Sequence, residues 1–428
     1  MTIKEKNFWL DTVTMPSPEP QQALPPKVDV AVLGSGFTGL SAARELAKRG
    51  AKVAVLEAET IGWGASSRNA GMVLTGLKAI YGGIIKNYGR ETAHRMFAAN
   101  MASIDCVEQV VKEEKIDCDF SRSGHLVVAE KPPHFDAHAH EMALLDKEFG
   151  HKTRVVPRAD MRDEIGSDIY CGGFVDEASV GVNPARLVGG LGRAALAAGA
   201  AVHERARVTA AEREGAGFRV RTSRGDVHAD AVVVATCSYT GGFAPQLQRK
   251  IISLGSYIIV TEPLAPAVAR DVSPRNRMMF DLKNYVYYFR LTPDNRMLFG
   301  GRAAFFPESK STVRRSAKIL RRGMVSVFPQ LRDVRVEYAW GGMVEFAFDK
   351  MQHTGQMGGL YYALGYGGHG VAMAVYIGAQ LAKKVNGETY DDTFEGYSFP
   401  DAPPGLNKGQ PWFLPCVGAW YKFLDWVR

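Results

Sequence analysis

Residues 27–58 read KVDVAVLGSGFTGLSAARELAKRGAKVAVLEA, and this stretch decides the fold. An apolar run from Val28 to Leu33 enters a turn carrying Gly34, Gly36 and Gly39. A helix-forming segment from Leu40 to Arg49 follows, and a second apolar run from Val53 ends on Glu57. That order is a strand, turn, helix, strand unit. Each glycine has its own physical reason. Gly34 permits the tight turn, Gly36 lets a pyrophosphate approach the backbone, and Gly39 lets the helix pack on the sheet. The helix start offers unpaired N–H groups and partial positive charge to phosphate. Glu57 stands where an acid hydrogen-bonds a ribose hydroxyl, and no Arg or Lys beside it would hold a 2′-phosphate, which disfavours NADP. The stretch predicts a dinucleotide site, and the identity of the dinucleotide must come from elsewhere in the chain.

At 428 residues the chain is too long for one ordinary core and predicts two or three domains. Its 46% hydrophobic and 23% charged residues are those of a soluble globular protein. Cys106, Cys118, Cys171, Cys237 and Cys416 are scattered without CxxC spacing, which predicts a reducing compartment, no structural disulfide and no metal site. A net charge of +7 suits an anionic ligand or membrane surface, but the basic residues are too dispersed for nucleic acid. Met1 to Lys6 lacks the apolar region of a signal peptide, so a cytoplasmic location is expected. Gln356 to Ala382 carries no Asp, Glu, Lys or Arg, yet its central GYGGHG would break a spanning helix; it reads as strand, turn and helix.

Taken in order, the proline-rich residues 1–26 form an extended tail in which Phe8 and Trp9 would be the anchors. Glu59 to Leu77 is a small-residue loop of the kind that lies against a ligand. Residues 90–115 read as helix, and DFSRSGHLVVAE as a strand carrying Arg122 and His125. His134, His138 and His140 fall at helical intervals on a charged segment without a carboxylate cluster, which reads as a solvated face rather than a metal site. A helix opens near Pro184, DAVVVAT is a buried parallel strand, and residues 254–306 form antiparallel strands with interleaved aromatics. Residues 311–328 read as a basic helix. The aromatic tail, with Trp412, Phe413, Leu414, Trp420, Tyr421, Phe423, Leu424 and Trp426, reads either as an interfacial helix or as one packed on protein.

Six motifs in order, the glycine unit above, GWGASSRNAGM, GGFVDEASVGVNPARL, DAVVVAT, WGGMVEF and GYGGHGVAMA, resemble the flavin amine oxidoreductases that include D-amino acid, glycine and sarcosine oxidases, and within them the γ-glutamylputrescine oxidoreductase-like branch. The resemblance covers roughly Lys27 to Gly387 and implies FAD rather than NAD. It implies an α/β fold: a GxGxxG, Rossmann-like FAD-binding domain from residues 27–105, 155–240 and 338–390, and a substrate domain with a mixed, largely antiparallel sheet from 106–154 and 241–337. Tails take up 1–26 and 391–428.

The resemblance places the cofactor on Gly34, Gly36, Phe37, Thr38 and Gly39, with Glu57 and Ala58 at the ribose. The loop Trp63, Gly64, Ala65, Ser66, Ser67, Asn69, Ala70, Gly71 and Met72 would follow the ribityl chain and ring. Val208 would pair with adenine through its backbone, and Thr236 and Gly342 complete the walls. Gly367, Gly368, His369 and Gly370 would open a helix facing the flavin C2 carbonyl, where reduction builds negative charge.

Departures from the family bear on chemistry. The cysteine and histidine positions of covalent flavin are not matched, which implies non-covalent FAD. Val344 and Ala372 replace carboxylate-binding cations of glycine and sarcosine oxidases, and Leu298 replaces an oxygen-activating Lys. The implied chemistry is oxidation of a C–N bond to an imine, which water hydrolyses, with oxygen or a quinone as acceptor. The substrate would be a γ-glutamylated polyamine-like or secondary amine. The alternative is a dehydrogenase of a cyclic or N-substituted amino acid, peripheral on the inner face of the membrane. Pocket candidates are His369, Tyr257, Tyr288, Glu345 and Arg302, with Tyr285, Tyr287 and Arg290 beside them; strand alternation requires about half the tyrosines to be plain core. Glu345 could pair with an ammonium group.

Overall fold

The computed structural model describes residues 3–17, 23–301, 311–402 and 413–427. Lys27–Leu33 pairs in parallel with Val53–Leu56 on one side and with Gly225–Val234 on the other. Ala201–His203 and Leu360–Leu364 extend the parallel sheet, and His353–Met357 closes one edge antiparallel. All four residues of Val53–Leu56 are buried, because helices Phe37–Lys48 and Gly370–Val385 cover the face of Val53 and Val55, while Phe218, Val220 and Leu247 pack with Ala54 and Leu56 on the other. The hairpin Val208–Glu214 and Gly217–Thr222 hangs from Gly225–Val234.

The second sheet runs in the order Val336–Ala347, Ile251–Pro263, Arg296–Gly301, Tyr287–Leu291, Met278–Asp281, His125–Ala129, Gly172–Asp176, Arg154–Pro157. Every pairing is antiparallel except that of Met278–Asp281 with His125–Ala129. It is the mixed, largely antiparallel sheet expected. Thr312–Val327 covers its outer face, burying Leu320, Met324 and Val327 against Phe289 and Phe299. Gly172–Asp176 and most of Arg154–Pro157 and Val336–Ala347 come from the stretches 155–240 and 338–390 expected in the FAD domain. Sequence shows a strand's apolar pattern but not which neighbour it pairs with.

The N-terminal tail departs from the extended form expected. Lys4 bridges to Tyr338, and Phe8–Thr12 forms a short 3-10 turn that buries Trp9 to 1% exposure. The segment 356–382 is strand, turn and helix, and no helix among the described residues is long and apolar enough to cross a membrane. Leu414–Val427 packs on protein: Asp425 accepts the backbone N–H groups of Asn284 and Tyr285 at 2.9 and 3.0 Å. Trp412 and the side chains of Leu414, Tyr421, Leu424 and Trp426 lie outside the described residues.

Candidate active site

The elbow after Lys27–Leu33 is built for close approach. Gly34 sits at φ +98°, a conformation L side chains rarely adopt. A Cβ on Gly39 would stand 2.0 Å from the Gly34 carbonyl oxygen. Glu57 Oε2 accepts Ser35 N at 2.8 Å and Ser35 Oγ at 2.7 Å, and its Oε1 accepts Glu59 N at 2.8 Å, so the carboxylate is fixed beside the elbow.

A cavity of about 1470 Å3 runs along this elbow and on to the second sheet. Pockets for single small ligands hold roughly 300–1,000 Å3, so this one has room for a dinucleotide and a substrate. Its wall includes Gly34, Gly36, Phe37, Thr38, Glu57 and Ala58 from the elbow, and Trp63, Gly64, Ala65, Ser66, Asn69, Ala70 and Met72 from the following loop. Val208, Thr236, Gly342, Gly367, Gly368, His369 and Gly370 also line it. Gly39, Ser67 and Gly71 stand behind the wall. Ser67 is fully buried, and a Cβ on Gly71 would meet the Val182 carbonyl oxygen at 2.0 Å.

The loop is tied from behind by four side chains. Asn7 Nδ2 donates to Ser67 O at 2.8 Å and Trp9 Nε1 to Asn69 O at 2.9 Å. Trp340 Nε1 donates to Arg68 O at 3.0 Å, and Arg290 Nη1 to Gly71 O at 2.9 Å. Arg290 is therefore a buried clamp and not a pocket cation; burial pushes its pKa down to about 10.

Of the residues expected to shape the pocket, Tyr288, Glu345 and His369 line the cavity. Tyr288 OH meets Ser256 Oγ at 2.9 Å. Tyr257 does not line it. Period-two alternation turns its ring to the opposite face of the sheet, where it lies 3% exposed against Gly341 among Phe299 and Leu320. Tyr287 points the same way, against Gly301 and Gly323. Tyr285 lies where Asp425 meets the 284–285 backbone, and burial followed by Asp425 pushes its hydroxyl up to about 12. Arg302 lies outside the described residues.

Glu345 is occupied in a way its sequence position does not reveal. Its Oε1 accepts Gly365 N at 3.0 Å and Tyr366 N at 3.4 Å, which holds the turn leading to His369. Burial, opposed by these N–H groups, raises its pKa to about 7. The Cys237 thiol lies beside it, on a residue strained at φ +46°. Thr38 Oγ1 and Tyr366 OH meet at 2.8 Å, tying the helix start of the elbow to the same turn.

His369 caps Gly370–Val385 from the cavity wall. Burial, then the Lys78 ammonium, push its pKa down to about 3, so the ring is uncharged. Beyond it the wall carries His125, His134, His138, Glu141, His151 and Asp176, a grouping that sequence reasoning misses. The solvated face predicted for the 134–140 histidines is corrected by the structure. His134 and His138 turn inward with Glu141 and Leu145, and His140 alone of that trio is exposed. Their i, i+4 spacing in phase with Leu145 is the signal that marks the inward face.

The elbow, the fixed acid and the glycines at 367–368 fit a flavin dinucleotide. Residues 29–384 match the family described as FAD dependent oxidoreductase. The chain is 32% identical to a probable oxidoreductase OrdL of Haemophilus influenzae, over 94% of this chain and 92% of that one. It is 32% identical to γ-glutamylputrescine oxidoreductase of Escherichia coli, over 93% and 92%. The fold matches glycine oxidase from Geobacillus kaustophilus with a TM-score of 0.71 at 20% identity, covering 85% of this chain and 96% of that one. L-Proline dehydrogenase from P. horikoshii matches at 0.69 and 19%, covering 86% and 95%. With the family matched along most of its length and the dinucleotide cradle intact, the chain belongs to the DAO family of FAD-dependent oxidoreductases.

Proposed function

We propose that the protein oxidises the carbon–nitrogen bond of an amine to an imine, which water hydrolyses to a carbonyl compound, and that its substrate resembles a γ-glutamylated polyamine. FAD held by the elbow glycines and Glu57 would supply the redox chemistry, as acceptor for the hydride leaving the carbon beside the nitrogen. The observation that carries this reading is the cavity wall, which holds the uncharged imidazole of His369 and the apolar side chains of Val344, Met343 and Leu254. Such surroundings disfavour an ammonium ion and favour the neutral amine that can release hydride. The similarity to γ-glutamylputrescine oxidoreductase supports the same class of substrate.

The residues then bind and orient. Glu345 holds the 365–366 turn and so the start of the Gly370–Val385 helix; we assign it this positioning role in place of direct pairing with an ammonium group. Val344 lines the cavity at the position where the resemblance to glycine oxidases implies a carboxylate-binding cation, which disfavours a simple α-amino acid. FAD is proposed to be non-covalent, with Glu57 and the elbow glycines at its dinucleotide end. Acid precipitation should leave the yellow colour in the supernatant, and a coloured pellet would contradict that.

A second reading, electron transfer to quinone at a membrane surface, is favoured by one observation. Trp420 and Phe423 stack on Leu414–Val427 while 57% and 49% exposed. Turnover of γ-glutamylputrescine, putrescine, pipecolate, proline and N-methyl amino acids, with oxygen or with an added quinone, separates the two by acceptor. A carbonyl product from a γ-glutamylated amine is expected. No carbonyl product from any amine with either acceptor would overturn the amine reading.

A further inference from the structure

Past His369 the cavity continues into an annex between the second sheet and the Pro132–Phe149 helix. Three imidazoles face it: His125 from its strand, and His134 and His138 one turn apart on the helix. Phe280 stacks on His125 at 5.3 Å between ring centroids, and Phe174 meets His138 edge-on at 4.9 Å. His125 Nδ1 meets Ser179 Oγ at 2.8 Å, so Nε2 is the nitrogen this ring has left for a ligand. His134 Nδ1 and His138 Nε2 are buried without a hydrogen-bond partner among the described residues. Both atoms are closed to the cavity as well as to solvent, so the nitrogen each ring has left to meet a ligand is the opposite one, His134 Nε2 and His138 Nδ1.

The nearby carboxylates do not supply that match, because they are engaged elsewhere. Asp176 Oδ1 accepts Ala178 N at 2.9 Å, and its Oδ2 accepts Thr75 Oγ1 at 2.5 Å and His151 Nε2 at 2.7 Å. Glu141 Oε1 takes Tyr81 N at 2.6 Å, and Asp281 takes Tyr287 N at 2.9 Å and pairs with Lys283 at 3.0 Å. The rings can meet an accepting group, since a neutral imidazole can present N–H from whichever nitrogen faces the ligand and a protonated one presents N–H from both. A group that only accepts hydrogen bonds, carried on an aliphatic chain between aromatic walls, satisfies this site.

We propose that the annex is the subsite for the non-reacting end of the substrate and that it binds a carboxylate, so that the enzyme selects amines bearing a carboxylate several bonds from the oxidised carbon. The substrate class rests on the amine reading above; the carboxylate site itself does not. Burial holds His125 and His138 down to about 4, so the empty annex has uncharged rings there. An arriving carboxylate raises both, and binding takes up protons. Other charged groups on these walls are Lys78, the His151–Asp176 pair, Glu141 and the Asp281–Lys283 pair.

Calorimetric titration of the FAD-loaded enzyme with hexanoate and with hexanamide tests the site without turnover. Hexanoate should bind roughly tenfold or more tightly than hexanamide, the loss expected of one charge-assisted hydrogen bond. Its affinity should rise from pH 8 to pH 6. The H134L/H138L enzyme should lose the preference for hexanoate. H138Q, which keeps a donor but cannot take up a proton, should retain binding and lose part of the pH dependence; it serves as the readout if the double variant fails to hold FAD. Equal affinity for the two ligands, or an unchanged preference in these variants, would overturn the proposal. Hexanoate binding as described, with no amine reducing the flavin, would keep the annex and remove the amine reading.

Discussion

Glu345 carries a carboxyl group that is 3% exposed, with a pKa raised by burial from the ordinary 4.5 to about 7. Between these values the unfolded chain has released the proton and the folded chain keeps it. Stability therefore falls as pH rises from about 4.5 to about 7 and levels off above, by roughly 3 kcal/mol in all. Glu345→Gln removes this dependence while retaining an oxygen for Gly365 N and Tyr366 N. Denaturant midpoints should show the variant gaining on the wild type between pH 5 and pH 8; parallel pH profiles would contradict the assignment. The sequence shows that Glu345 follows WGGMV, but not that its partners are backbone groups 20 and 21 positions later. Sequence likewise spaces His134 and His138 for one helix face without saying which face is buried. Exposed neighbours such as Asp136 and His140 describe only the opposite side.

The elements around the 63–72 loop act as a clasp. The loop's glycines and serines mark it in sequence as ligand-facing, and it lines the cavity. Its supports are less legible, because Asn7 and Trp9 lie 60 residues away in a proline-rich tail. Trp9→Phe keeps the buried ring but removes the donor to Asn69 O. The lost bond is worth about 1 kcal/mol, so FAD should bind roughly fivefold more weakly if the clasp sets the loop's shape. An unchanged FAD dissociation constant, measured by flavin fluorescence, would show the tail to be independent of the cofactor. In the strands, period two explains why adjacent Tyr287 and Tyr288 part company, the first into the core against Gly323 and the second to the cavity. Which of the two faces inward depends on the helix Thr312–Val327, whose docking side no local pattern specifies.

At the scale of the whole molecule, a parallel sheet presents the glycine elbow and an antiparallel sheet supplies the opposite wall of one continuous cavity. The parallel half is readable from residues 27–58 and DAVVVAT because doubly covered strands are apolar throughout. The second sheet is readable as strands but not as an order, since its members come from positions as far apart as 125 and 347. The annex emerges only when those strands meet the Pro132–Phe149 helix. The most direct measurement is anaerobic mixing of the FAD-loaded enzyme with γ-glutamylputrescine while the flavin's visible absorbance is followed. Saturable bleaching is expected, with weaker saturation when the distal carboxylate is converted to an amide. Flavin that stays oxidised with this and every other amine, yet bleaches with dithionite, would contradict it.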